Sequence, residues 1–217
     1  MINDKIIKPY KSPLGIAEAE FIERKSRFIS HIAPVSTEED ARAFLETIRK
    51  KHPEANHNVY AYFIKEGNIC RHSDDGEPSG TAGKPLLDVF IKQNVFDFCC
   101  VATRYFGGIP LGAGGLIRAY SRCGVVGLEA AGVGIICEFT LCRIALPYAL
   151  YDVVRRLLNS YEIDIIKEDF GADVNIQFSL PLEILPQLKI ALTELTQGMI
   201  CVSIEGTQLG RKKEVIP

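Results

Sequence analysis

The chain has 217 residues, 47% of them hydrophobic and 24% charged, and a formal net charge of −2 at pH 7. This length allows one large domain or two modest ones, and the apolar content is sufficient for packed cores. The small net charge excludes binding of nucleic acid through overall basicity, so any such contact has to come from a local patch.

Strands and helices alternate in the first part of the chain. The stretch IAEAEFIERKSRFISHIAPV predicts two strands joined by a charged turn at residues 23–26. The next stretch, STEEDARAFLETIRKKH, predicts a helix in which Ser36 and Glu39 have the spacing of a capping box. The stretch HNVYAYFI then alternates as a strand does. No regular period precedes these elements, so the first dozen residues are expected to be loose.

Three further elements follow a loop at residues 71–85. TAGKPLLDVFIKQ predicts a helix, NVFDFCCVATRYF predicts a buried strand, and LIRAYSRCGVVGLEAAG predicts a second helix. The strand contains Cys99 and Cys100, which are typical of buried thiols. Seven cysteines without regular spacing, and an N-terminus without the apolar core of a signal peptide, favour a reducing cytoplasmic location. No run is long enough for a membrane span, and we expect no membrane partner.

A change of composition at AAGVGI predicts a boundary between a domain of residues 1–134 and a domain of residues 135–217. CEFTLCRIAL predicts a strand, PYALYDVVRRLLNSY a helix, EIDIIKEDFGADVNIQFSLP a hairpin, LEILPQLKIALTELTQG a helix, and MICVSIEGTQL a last strand. The order β-α-β-β-α-β is that of the ferredoxin-like split unit. We therefore expect the α+β fold class.

The loop RHSDDGEPSGTAGKP places three acids, Asp74, Asp75 and Glu77, within four residues. They could bind a metal or act as acid and base, with His57 and His72 nearby. The favoured interpretation is that they stabilise the loop and the helix after it, or pair with arginines. The end of the loop is not a phosphate-binding P-loop, because a proline stands where that motif requires a hydroxyl residue. No metal-ligand spacing is present, and no metal or cofactor is expected.

A second loop, GGIPLGAGG, lies between the buried strand and a helix, where free amides and the helix dipole favour an anion. The alternative is that its glycines only allow a tight turn. Arginines flank the loop, and two of them stand four residues apart on one helix face, so both can reach one partner. The predicted ligand-binding residues are Asp74, Asp75, Glu77, Lys84, Arg104, Gly107, Gly108, Gly112, Gly114, Gly115, Arg118 and Arg122.

Long strings of this sequence, KSRFISHIAPV, HNVYAYFI, DDGEPSGTAGKP and TRYFGGIPLGAGGLIRAY, resemble the YigZ/IMPACT family over roughly residues 15–130. The resemblance implies an N-terminal βα sandwich similar to the second domain of a small-subunit ribosomal protein. It also implies a C-terminal ferredoxin-like domain similar to the last domain of elongation factor G. Eukaryotic members regulate translation by competing for the activator of an initiation-factor kinase. The resemblance implies no catalytic residue.

We therefore expect a cytoplasmic regulator of translation that acts as a binding module and associates with RNA, the ribosome or a protein partner of the translation machinery. The alternative is an enzyme, a phosphotransferase or hydrolase, acting on a small phosphate-bearing or peptide-like substrate, in which the acids hold magnesium or act as base. A third hypothesis is a scaffold for a protein partner. The sequence leaves the oligomeric state open.

Overall fold

The computed structural model describes residues 8–161 and 163–213, and the chain divides into two compact units, residues 10–135 and residues 136–211. Both contain helices together with antiparallel strands, so the fold class is α+β. The strands are β1 (Tyr10–Pro13), β2 (Ala17–Glu23), β3 (Ser26–Pro34), β4 (His57–Ile64), β5 (Ile69–Ser73), β6 (Phe98–Tyr105), β7 (Val133–Leu146), β8 (Asp164–Phe170), β9 (Val174–Pro181) and β10 (Ser203–Lys213). The α-helices are α1 (Glu38–Lys51), α2 (Gly83–Lys92), α3 (Gly112–Ala131), α4 (Tyr148–Asn159) and α5 (Leu185–Thr196).

The N-terminal unit is built on one sheet with the strand order β2-β3-β6-β4-β5. Helices cover both faces of its central strand β6. Phe98 and Cys100 pack with α2 and α3, whereas Cys99 and Val101 pack with α1. Burial on both faces explains why this strand reads as a continuous apolar run without alternation. Both cysteines are fully buried, as predicted, and burial raises the pKa of Cys100 to about 12.

The start of α1 corrects the predicted cap by one residue. Thr37, not Ser36, is the N-cap: its hydroxyl accepts from the Asp40 amide at 3.1 Å, and its own amide donates to the Asp40 carboxylate at 3.2 Å. The pairs Ser36–Glu39 and Thr37–Asp40 have the same spacing, so the motif alone does not separate them. The shorter Asp40 side chain closes the box in the structure.

The turn between β2 and β3 consists of Arg24 and Lys25, and both have positive φ, 44° and 66°. Such a turn matches the twist of a hairpin but is adopted more readily by Asn and Gly than by longer side chains. Gly107, which follows β6, lies against this turn so closely that a Cβ there would overlap the Lys25 carbonyl. The hairpin tip and the glycine loop are therefore fixed to each other.

Two strands of this unit occur where the sequence predicted none. The N-terminal stretch expected to be loose contains β1, and Lys11 exchanges backbone hydrogen bonds with Asn94 and Phe96. Strand β5 takes in Arg71–Ser73 of the predicted loop and pairs with β4 at the edge of the sheet. Both strands are short and depend on partners distant in sequence, so local composition does not reveal them.

In the C-terminal unit, β9 lies between β7 and β8, and β10 pairs with β7. Helices α4 and α5 contribute to a core around Ile176 and Phe178 of β9. Along α5, Leu185, Leu188 and Leu192 are buried, whereas Leu195 is 42% exposed. Among the residues described, no helix is long and apolar enough to cross a membrane.

Candidate functional site

Asp74 closes the acidic loop onto the helix that follows it. Its carboxylate accepts from the amides of Gly80, Ala82 and Gly83 at 2.8–3.0 Å. Partial burial acts to raise the pKa of Asp74, but these amide donors outweigh it and hold the pKa below its ordinary value. The residue therefore satisfies donors at the start of α2, which has no other side-chain cap.

Asp75 ties the same loop to the sheet and to α1. One carboxylate oxygen accepts from the Asn58 amide at 2.6 Å, and the other lies 3.5 Å from the Arg49 guanidinium. Its backbone has φ 45°, and its carbonyl accepts from His57 Nδ1 at 2.8 Å. Lys84, at the start of α2, pairs with Asp88 at 2.5 Å.

Glu77 and Arg104 form a buried ion pair beneath the loop. Arg104 Nη1 donates to Glu77 Oε1 at 2.5 Å, and the Tyr120 hydroxyl donates to the same oxygen at 2.7 Å. The side chains of the pair are only 3% and 6% exposed. Burial, reinforced by the Glu77 carboxylate, raises the pKa of Tyr120. Arg104 is thus engaged inside the fold, although the sequence predicted it as a ligand contact beside two other arginines.

The acidic loop and the glycine loop line a common cleft of about 380 Å³. Glu77, Pro78 and Arg104 contribute from beneath and beside the acidic loop, with His57 at the start of β4. The other lining residues are Asn56, Phe106, Pro110, Leu111, Gly112, Ala113 and Leu116. Since the Asp75 carbonyl can only accept, His57 Nδ1 carries a proton, so Nε2 is an acceptor in the neutral form of the ring. That nitrogen lies 3.8 Å from Glu77 Oε1.

The glycine loop leads into the N-terminus of α3, which begins at Gly112 and has no side-chain cap. Gly108 and Gly112 have φ of 82° and 70°, in the left-handed region that favours glycine. Gly114 and Gly115 occupy the first turn of the helix. The amides of this turn are therefore without an intrahelical or side-chain acceptor, as an anion site requires.

A second, smaller pocket of about 170 Å³ lies along α3 and is lined by three arginines, Arg24, Arg118 and Arg122. Arg122 lies 4.0 Å from Glu23 and 4.3 Å from the centre of the Phe21 ring. Arg24 and Arg118 form no ion pair within the described part of the chain. Arg118 and Arg122 thus reach one site, whereas Arg104 belongs to the neighbouring cleft.

Sequence reasoning missed Arg24 and Phe106, and it considered His57 only as part of a possible metal or acid–base site. Arg24 lies far from the glycine loop in sequence and reaches α3 because the β2–β3 hairpin tip packs on Gly107. Phe106 is 48% exposed directly after a buried strand, and an aromatic residue there is the one local signal. In residues 8–161 and 163–213, no three His, Cys, Asp or Glu side chains are arranged to hold a metal ion.

Comparison with known proteins matches the Impact N-terminal domain over residues 24–127 and the Domain of unknown function (DUF1949) over residues 144–199. The IMPACT family member YvyE of Bacillus subtilis is 43% identical, covering 83% of this chain and 84% of its own. YigZ of Escherichia coli is 32% identical, covering 82% and 88%. A crystal structure of a hypothetical protein is 30% identical with a TM-score of 0.58, covering 91% of this chain and 97% of its own.

Proposed function

The chain belongs to the IMPACT family, and from that premise we propose that it is a cytoplasmic binding module that associates with RNA or the ribosome and regulates translation. One observation carries the proposal: Arg24, Arg118 and Arg122 converge on one pocket beside the uncapped N-terminus of α3, with Glu23 as the one acid in its lining. This is the local basic patch that a chain of net charge −2 needs in order to bind nucleic acid.

The chemistry of the pocket suits phosphate. A guanidinium donates two parallel hydrogen bonds to phosphate oxygens, and the amides at a helix N-terminus point toward an anion. Arg24 and Arg118 have no carboxylate partner among the described residues, so binding an RNA phosphate costs them no existing ion pair. Because both are exposed, their contribution depends on the ionic strength.

The family supports the same function in more detail. We include in the proposal that the N-terminal unit is similar to the second domain of a small-subunit ribosomal protein, and that the C-terminal unit is similar to the last domain of elongation factor G. The element order β7-α4-β8-β9-α5-β10 and the central position of β7 and β9 are those of a ferredoxin-like unit. Eukaryotic relatives, such as Protein IMPACT of Xenopus laevis, share 38% identity over 96 residues.

The enzyme alternative draws less support. It requires one of the three acids to hold magnesium or to act as base. Asp74 binds backbone amides, Asp75 binds an amide and an arginine, and Glu77 is paired with Arg104 and Tyr120. These contacts are those of the structural interpretation favoured for the loop.

Co-sedimentation with ribosomes across a salt series, with bare RNA bound in parallel, tests the proposal. Replacing both Arg24 and Arg118 by Ala removes two phosphate contacts, so we expect weaker binding and a salt slope that is shallower by about 1.4–1.8. The matched control replaces Lys50 and Lys92, two exposed cations that line neither pocket.

Equal losses in the control and the test variant would show that charge alone matters and would overturn the proposed surface. Unchanged binding by the Arg24/Arg118 variant would also overturn it. Arg104 is unsuitable for this test, because its guanidinium is buried against Glu77 and its removal would disturb the fold.

A further inference from the structure

We propose that the cleft lined by the acidic loop and the glycine loop binds one unpaired nucleobase of the RNA, and that it favours a base with an exocyclic amino group, adenine, cytosine or guanine, over uracil. This inference rests on the proposed function, because it assigns the base next to a phosphate held at the arginine pocket. It concerns different residues, chiefly Phe106, His57 and Glu77.

The walls of the cleft suit a flat apolar ligand. Phe106 is an exposed aromatic side chain at one side, and Pro78, Pro110 and Leu116 contribute further apolar surface. The volume of about 380 Å³ lies near the lower end of the range for small-molecule sites, as a single nucleoside requires. Proteins that bind unpaired RNA stack its bases on aromatic side chains in this way.

The polar side of the cleft includes two acceptors, on His57 and Glu77, beside the guanidinium of Arg104. In the neutral form of the His57 ring, Nε2 has a lone pair, because Nδ1 is the nitrogen that donates to the Asp75 carbonyl. Glu77 uses Oε1 for Arg104 and Tyr120, whereas Oε2 has no hydrogen-bond partner among the described residues, although its side chain is only 3% exposed. A carboxylate oxygen without a donor can accept a hydrogen bond from a ligand in the cleft that Glu77 lines, so the cleft is chemically prepared for a ligand that donates.

Amino groups of bases supply such donors. Adenine, cytosine and guanine each carry an exocyclic amine, whereas uracil presents two carbonyl oxygens and one ring N–H. An exocyclic amine has two N–H donors for the two acceptors, whereas the single ring N–H of uracil can satisfy only one of His57 Nε2 and Glu77 Oε2 and leaves a carbonyl oxygen facing the other. The same argument disfavours an anionic ligand within the cleft itself, so the phosphate has to lie outside it.

The two pockets lie side by side, as the base and the phosphate of one single-stranded RNA require. Leu111 lines both the cleft and the arginine pocket, and it is the N-cap of α3. When a base lies in the cleft, Arg118 and Arg24 are therefore beside it and can bind the phosphate of the RNA backbone. A duplex does not fit this arrangement, because its bases are stacked and paired and cannot enter a cleft.

Binding of short homopolymeric RNAs to the whole protein, measured at one low salt concentration, tests the inference. We expect oligo-adenylate and oligo-cytidylate to bind about tenfold more tightly than oligo-uridylate, and a duplex to bind weakly. Phe106→Leu keeps apolar bulk but removes the ring, and we expect it to weaken binding of every single strand about tenfold. Phe106→Tyr is the matched control and should bind as the natural protein does.

The outcomes separate this inference from the proposed function. Equal affinity for the three homopolymers, or full binding by Phe106→Leu, overturns the base site. If the Arg24/Arg118 variant still loses binding in that case, the phosphate surface stands alone. Absence of binding to any RNA or to ribosomes overturns both. Because Phe106 is exposed, its variants test the site without disturbing the core.

Discussion

Replacing Arg104 by Met should destabilise the N-terminal unit strongly. The change leaves the Glu77 carboxylate, 3% exposed, without its cation and with only the Tyr120 hydroxyl as donor. Removing one partner of a buried ion pair costs about 3–5 kcal/mol of stability, because the charge of the other partner stays buried without compensation. With a urea m-value of about 2 kcal/mol per molar, the midpoint should fall by about 2 M. Urea titration followed by far-ultraviolet circular dichroism measures this shift.

The double replacement of Glu77 and Arg104 by Met distinguishes a buried charge from lost packing. Removing both charges leaves the Tyr120 hydroxyl without its acceptor, a loss of about 1–3 kcal/mol, so the double variant should be more stable than either single one. The matched control is Arg156→Met on α4, an exposed arginine, for which we expect a change within about 0.5 kcal/mol. A loss below about 1 kcal/mol for Arg104→Met, or a double variant equal to the sum, refutes the reasoning.

Three further predictions concern the N-terminal unit. Gly107→Ala places a Cβ onto the backbone of the β2–β3 turn, so we expect a lower thermal midpoint and, in the ribosome assay, weaker binding. In a urea titration, Thr37→Ala should lower the free energy of unfolding by about 1 kcal/mol and Ser36→Ala by much less, since only Thr37 caps α1. Equal losses in the two variants would contradict the observed cap. Burial, opposed by Glu18, lowers the pKa of His31 to about 4. Between pH 6.5 and 4 the unfolded chain therefore binds a proton that the folded protein does not, and the free energy of unfolding should fall by about 3 kcal/mol over this range. A free energy of unfolding that does not change with pH there would contradict a neutral His31 imidazole in the folded state.

Local patterns predicted most helices and strands, because hydrophobic periodicity and turn-forming residues can be recognised in a short run of consecutive residues. The hairpin at Arg24–Lys25, the strand from His57 and the helix ending near Gln197 are of this kind. Features that depend on distant partners were not predictable. Strand β1, for example, forms where no periodicity is present. The capping box of α1 is local, but the sequence offers two equal candidates for it. The family resemblance is confirmed by the comparisons.

The candidate site shows the same limit at the level of single residues. Asp74, Asp75 and Glu77 form one acidic cluster in sequence, yet the first two bind backbone amides and only Glu77 lines the cleft. Their partners, such as Asn58 and Tyr120, come from other elements, so no spacing rule distinguishes the three. The sequence therefore indicated the loop but not which of its three acids lines the cleft.

Arg104 and Arg118 illustrate why this division matters for experiments. Both are arginines next to the same glycine loop, and the sequence assigned them the same role. In the structure Arg104 neutralises Glu77 inside the fold, whereas Arg118 is exposed and has no ion pair among the described residues. Loss of ribosome association in an Arg104 variant would report unfolding as readily as a lost contact. The same loss in an Arg118 variant of unchanged stability would report a contact with the partner itself, and only that variant tests the surface.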